Sequence, residues 1–232
     1  MPTILAIETS ADLASAALLH QGVLSSDESG GVLTHSQTIL PMVQALLAKS
    51  GIALAQCDAI AFGSGPGSFT GVRTACGIAQ GLAFGADLPL LPVVTLLAMA
   101  QDCRARSGSD EVLAVLDARM GEVYWAQYRF ADGWQTVMPP TLSAPDAVAP
   151  IGEVVACGNG LQAYASAFDA RAFGCCGLDA LVPHAAQVAQ LGEQAWLKGA
   201  RIAAREAEPL YLRNKVALTT SERLQKAARG AA

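Results

Sequence analysis

Gly63-Ser64-Gly65-Pro66-Gly67-Ser68-Phe69-Thr70-Gly71 is entered by the apolar run Ala59 to Phe62 and followed by a helix-like segment reaching Gly85. That order reads as a strand, a glycine loop and a helix. Glycines let a backbone approach a neighbour or a ligand closely, and a helix start offers unpaired N–H groups and the positive end of its dipole. Such a loop suits an anion. The named phosphate motifs fail, however. A Walker loop needs Lys and then Ser or Thr where this chain has Val72 and Arg73, and the dinucleotide fingerprint needs a third glycine where Ser68 or Thr70 stands. Two readings stay open from these residues: a phosphate cradle, and a turn whose glycines serve close helix packing.

Outward from the loop, Ile4 to Ile7 reads as a buried strand, Glu8 to Asp12 as a polar corner and Ala14 to Leu19 as a returning strand, with Gln21-Gly22 turning toward Val23. Gln37 to Lys49 carries a wide apolar helical stripe, and Ser36 is the candidate N-cap. Val72 to Phe84 gives a second helix rich in small residues. The pattern then restarts. Val112-Leu113-Ala114-Val115 echoes Ile4-Leu5-Ala6-Ile7, each run soon meets an acid (Glu8, Asp117), and a strand returns over Glu122 to Phe130. Two duplicated halves facing a cleft are therefore expected, with the acids at its mouth. The polar stretch Gln101 to Ser109 sets the boundary, giving residues 1–103 and 104–232 as subdomains. The second half looks reduced, with a strand at Glu153 to Cys157, a Gly158-Asn159-Gly160 turn and a helix over Ala185 to Lys198.

Composition narrows the class. A chain of 232 residues, 52% hydrophobic, can bury a substantial core. A net charge of −5 argues against a surface built wholly for nucleic acid. The charge is uneven, because residues from Lys198 onward sum to +5 and the remainder to −10. Glu8 and Asp12 interrupt any leader-like apolar segment, and Asp87, Pro89 and Pro92 break the most membrane-like stretch, so a cytoplasmic chain without a membrane span is expected. The six cysteines, Cys57, Cys76, Cys103, Cys157, Cys175 and Cys176, show no metal-ligand spacing and read as reduced, buried hydrophobes.

Catalytic groups are sparse. His20, His35 and His184 are too far apart for a local metal pair, and His35 reads as structural or interfacial. Ser68 is not in a nucleophile elbow. No catalytic and no metal-ligating residue is assigned.

Five segments in one order carry a family resemblance: Ile4 to Ser10, His35-Ser36 through Met42, Gly65 to Arg73, Asp117 to Tyr124, and Pro209-Leu210-Tyr211-Leu212-Arg213. Together they resemble the bacterial TsaB (YeaZ-like) family, a subunit of the machinery that makes threonylcarbamoyladenosine in tRNA. The resemblance implies an α/β, actin-like and Hsp70-like (ribonuclease H-like) duplicated fold with a reduced second subdomain. It implies a residual nucleotide or phosphate cleft at Glu8, Thr9, Ser10, Gly65, Gly67, Ser68 and Asp117. Relatives usually carry Asp where Glu8 stands, and the catalytic paralogue TsaD carries two metal-binding histidines where this chain has Thr95 and Met99.

The same resemblance implies a non-catalytic scaffold and activator. It would pair with TsaD, which transfers a threonylcarbamoyl group to N6 of adenosine 37 in tRNAs reading codons that start with A. The ATPase TsaE would join, tRNA would be met through the complex, and a homodimer is the alternative for the chain alone. No cofactor is required of this subunit. The partner face is expected on the first two helices, at Leu40, Val43, Leu47, Val72, Ala75 and Ala79. The rival classes are an ATP-dependent small-molecule kinase or peptidase-like hydrolase of the same fold, and an RNA-binding protein using the basic tail.

Overall fold

The structure, a computed structural model, describes residues 1–30, 34–169, 171, 173 and 178–213. Cys175, Cys176 and the tail 219–232 lie outside the described residues.

Three antiparallel strands open the chain: β1 (Ile4–Glu8), β2 (Ala14–His20) and β3 (Val23–Ser29). Gln21 and Gly22 turn β2 into β3 with φ of 51° and 79°, the left-handed pair that matches strand twist in a tight hairpin. Helix α1 (His35–Ser50) crosses over to β4 (Ala59–Gly65), and α2 (Phe69–Ala86) crosses to β5 (Leu90–Val94). Both of these strands run parallel to β1, giving the five-stranded order β3-β2-β1-β4-β5. Helix α3 (Thr95–Ser107) then leads into β6 (Glu111–Arg119), β7 (Glu122–Phe130), β8 (Trp134–Ser143) and β9 (Val155–Cys157), ordered β8-β7-β6-β9. Short helices α4 (Asn159–Ala163) and α5 (Ala165–Phe168) precede α6 (Ala185–Leu197).

The second sheet repeats the first: a three-strand meander with a parallel strand beside its leading strand. Ile4 faces Ala59 in one, and Val112 faces Val155 in the other. The duplicated, two-subdomain α/β fold is thus present, and the reduction is specific. Among the described residues no counterpart of β5 extends the second sheet. A short 3-10 turn at Pro145–Ala147 stands in the crossover that α1 fills in the first half.

Side-chain alternation along β1 explains the layers. Leu5 and Ile7 face α1 and α2, where Ile39, Met42, Val43 and Leu46 meet Ala75 and Ala79. Ile4 and Ala6 face α6, through Ala185, Val188 and Leu191. On the second sheet Val112, Ala114 and Leu116 pack on Leu96, Met99 and Cys103 of α3, while Leu113 and Val115 pack toward Leu161 and Phe168.

This packing corrects several sequence expectations. Val43, Leu47, Val72, Ala75 and Ala79, expected on a partner face, are 9% exposed or less, because the apolar stripes of α1 and α2 cover the sheet beneath them. Leu40 alone of the six is exposed, at 41%. The boundary at Gln101 to Ser109 is not a linker. Most of it is the end of α3, which stops at Gly108 in a left-handed conformation (φ 74°). Nor does 104–232 fold as one unit. Helix α6 lies on the first sheet, and Ile202 exchanges backbone hydrogen bonds with Leu90 of β5 (2.9 and 3.0 Å). Thr34 rather than Ser36 caps α1, its N–H donating to Gln37 Oε1 at 3.0 Å. The Gly158 turn opens α4, and β8 is a strand that the sequence pattern does not announce.

Gly192 shows how tightly α6 is seated. A Cβ there would lie 2.7 Å from the Cβ of Ala61, which has no rotamer to escape into. Gly192→Val is expected to destabilise the chain by about 1–3 kcal/mol in urea titration, as overpacking does. Gly77 in α2 has open space where its Cβ would be. Gly77→Ala is expected to stabilise by about 0.5–1 kcal/mol through helix propensity.

Candidate functional site

The two leading hairpins, the glycine loop and the chain's last described segment converge at the mouth between the halves. Here the glycine loop answers the question its sequence left open. A Cβ on Gly67 would lie 2.5 Å from Ser10 O, and one on Gly71 would lie 2.0 Å from Thr9 O. Both glycines exist so that the start of α2 can press against the corner after β1. The Ser68 N–H donates to Ser10 O (2.7 Å), Ser68 Oγ caps the helix by accepting from the Gly71 N–H (3.4 Å), and the Gly65 N–H donates to Thr95 Oγ1 (3.1 Å). These donors serve the fold itself. The packing reading carries the geometry.

Glu8 is fully buried and does not reach the cleft. Its carboxylate lies over Gly63, where a Cβ would come within 1.9 Å of Oε2. Oε1 accepts the Ser10 N–H at 2.6 Å and Oε2 accepts the Thr95 hydroxyl at 3.4 Å. Burial pushes this carboxyl above the usual carboxylate range, against the opposing pull of its hydrogen bonds from Ser10, Thr9 and Thr95. Thr9 is equally buried, its hydroxyl donating to Gly71 O (2.7 Å). Of the cleft residues expected from sequence, Ser10, Gly67, Ser68 and Asp117 line the cavity between the halves, and Glu8, Thr9 and Gly65 lie behind it. A carboxylate held under a glycine strand cannot be aimed at a ligand in that cavity.

Asp117 does face the cavity, but its oxygens are engaged. Oδ1 accepts the Tyr164 hydroxyl (3.0 Å) and the Arg119 N–H (2.7 Å), and Oδ2 pairs with the Arg119 guanidinium (3.1 Å). The same guanidinium reaches Asp12 of the first half (3.3 Å). Arg119 and Met120 adopt φ of 61° and 59° to make this turn, a conformation that non-glycine residues avoid. At the positions of the paralogue's histidines, Thr95 holds Gly65, Ser10 and Glu8 together, and Met99 is fully buried against the second sheet. Among the described residues no cluster of His, Cys, Asp and Glu could hold a metal ion. His35 spans the carbonyls of Thr9 (3.2 Å) and Asp12 (3.3 Å), the structural role expected of it.

The Pro209 to Arg213 segment, whose only sequence-level role was in the family resemblance, closes the cavity. Leu210 N–H donates to Ser64 O of the first half (2.7 Å). Tyr211 accepts from Arg73 Nε (2.7 Å), whose guanidinium carbon lies 3.4 Å from the centre of the Phe69 ring. Arg213 crosses to the second half, donating to Ala118 O (3.2 Å) and pairing with Glu122 (2.6 Å). An apolar-aromatic segment ending in Arg was the sequence signal for this strap.

Comparison with known proteins places the chain. A family model described as "TsaD: tRNA N6-adenosine threonylcarbamoyltransferase" matches residues 18–220. The tRNA threonylcarbamoyladenosine biosynthesis protein TsaB of Escherichia coli (strain K12) is 41% identical over 221 residues, covering 92% of this chain and 96% of that protein. The chain belongs to the TsaB family. The Haemophilus influenzae TsaB is 40% identical, over 92% of this chain and 94% of its own length. Among solved structures, YeaZ from Pseudomonas aeruginosa superposes with a TM-score of 0.84 at 40% identity, covering 91% of this chain and all of that one. Within the family fold, the described residues include no helix long and apolar enough to cross a membrane.

The buried Glu8 gives a pH prediction. A raised folded-state pKa contributes stability that is fully present below the ordinary carboxylate value of 4.5 and is lost as pH rises through the folded value. The melting temperature of Glu8→Gln is therefore expected to gain on the parent as pH rises above that value. A constant difference from pH 4 to pH 9 would show that Glu8 is not the buried titrating group.

Proposed function

We propose that this chain is a non-catalytic scaffold and activator in the formation of threonylcarbamoyladenosine in tRNA. It pairs with TsaD as a heterodimer, TsaE joins the assembly, and tRNA is met through the complex in the cytoplasm. The transfer to N6 of adenosine 37 is TsaD's, and this subunit requires no metal or nucleotide of its own. The observation that carries the reading is the near-full-length identity of about 40% to proteins named for this pathway. The site supports it. Thr95 and Met99 stand at the metal-binding positions with no exposure, Glu8 is sealed beneath Gly63, and Arg119 occupies both Asp12 and Asp117.

The pairing surface is the outward side of the same two helices. Leu40 on α1 is 41% exposed and Phe84 on α2 is 86% exposed, a large apolar side chain with almost no cover from its own domain. Gly77, Gly81 and Gly85 leave the backbone of α2 open beside it, which lets a partner helix approach closely.

Co-purification with the same organism's TsaD tests the proposal directly. Phe84→Asp is expected to keep the fold and weaken the TsaD complex at least tenfold, since a charge buried without a partner is costly at an apolar contact. Val43→Glu is expected instead to unfold the chain, because Val43 is 3% exposed inside the first core. Unchanged co-elution of folded Phe84→Asp and Leu40→Asp variants would place the interface elsewhere. Metal-dependent ATP turnover by the purified chain would refute its non-catalytic role.

A further inference from the structure

The cavity between the halves, about 260 Å³, keeps polar groups that the fold does not use. Tyr124 of β7 is 8% exposed, lines this space, and its hydroxyl meets no hydrogen-bond partner among the described residues. Asn159 at the start of α4 accepts the Asp117 N–H through Oδ1 (3.0 Å), and its amide nitrogen has no described acceptor. A buried phenol without a partner costs free energy that one hydrogen bond from a ligand would recover. These two groups reach the same space from neighbouring elements of the second sheet.

The rest of the lining defines what they would hold. The wall is chiefly apolar, with Val72, Leu116, Met120 and Leu212 prominent and the rings of Phe69 and Tyr211 at the rim. Every charge that lines it is already paired: Arg119 with Asp12 and Asp117, and Arg213 with Glu122. A phosphate or a zwitterion would have to break those pairs, and the Ser68, Gly71 and Gly65 N–H groups are committed within the fold. A sugar alone would need many more polar partners than this wall supplies. A flat, uncharged ring bearing hydrogen-bond acceptors meets both the apolar wall and the two free donors.

We propose that this cavity binds an uncharged nucleoside, held by the Tyr124 hydroxyl and the Asn159 amide beneath the Pro209 to Arg213 strap, and that it binds no phosphate group. The inference stands independently of the pairing with TsaD.

Adenosine is the probe, titrated into the full-length chain by calorimetry, with ATP plus Mg²⁺ and inorganic phosphate as separate arms. Adenosine is expected to bind saturably, ATP no more tightly than adenosine, and phosphate not at all. Tyr124→Phe, which keeps the ring and its packing, is expected to weaken adenosine about tenfold, the effect of one buried hydrogen bond. A nuclear Overhauser contact between adenosine and the Met120 methyl group locates the ligand in the unsubstituted protein, so the test does not depend on the variant folding. Absence of adenosine binding, ATP binding at least tenfold tighter than adenosine, no contact at Met120, or a folded Tyr124→Phe protein that binds like the parent would each overturn the proposal.

Discussion

The structure depends on one steric constraint: the start of α2 lies against the corner after β1 with no room for a methyl group between them. Gly67 and Gly71 touch the carbonyls of Ser10 and Thr9, and the Ser68 N–H and Thr9 hydroxyl hydrogen-bond across the same contact. An alanine at either glycine would push the helix off the corner. That contact fixes the angle of α2 over the first sheet. It also decides what the loop can do, since an N–H that ties strand to helix is not available to an anion. Gly63 extends the same logic one strand deeper, where the space of a side chain is filled by the Glu8 carboxylate.

Around that contact the two halves are joined twice, by covalent and by non-covalent routes. Helix α3 runs from the first sheet into the second core, and the chain later returns α6 to the first sheet. At the cleft mouth Arg119 ties the second hairpin to Asp12, and the strap ties Ser64 and Arg73 to Glu122. The exposed pairs are individually weak, the Arg119–Asp12 pair having side chains 70% and 79% exposed. The strap is stronger in kind, because its backbone bond to Ser64 and the largely buried Arg213 are less open to water. Opening of the cleft must therefore break the strap before it breaks anything else.

Much of this was legible in the sequence, and the failures share a cause. Strand periodicity located β1, β2, β4, β6 and β7, and the echo of Ile4-Leu5-Ala6-Ile7 in Val112-Leu113-Ala114-Val115 revealed the duplication. These signals are local. Val43 and Ala79 mislead because an apolar helical stripe says that a face is buried and nothing about what buries it. The informative residue for a partner is Phe84, a large apolar side chain on the side away from the stripe. Glu8 misleads for a related reason. An acid after a buried strand looks like a ligand-facing group until the neighbouring strand shows a glycine that makes room for it, and Gly63 lies 55 residues away in sequence. Tyr124 gives no signal at all, since its role depends on the absence of a partner that only three dimensions reveal.

The reduction of the second half has a physical consequence for function. In the first half α1 and α2 lie side by side on one face of a five-stranded sheet, so their outer surfaces form a continuous platform. In the second half the described residues place only short helices and a 3-10 turn over the equivalent face, with no counterpart of α1. A cleft that clamps a large charged ligand needs two comparable jaws whose facing loops carry free donors. Here one jaw is shortened, the loop of the other is spent on packing, and the carboxylates between them are neutralised by Arg119. The apolar surface of the longer half points away from the cleft, at Leu40 and Phe84. An architecture whose best-formed surface lies outside its cleft is suited to presenting helices to a partner, with the cleft left as a small cavity closed by the chain's own strap.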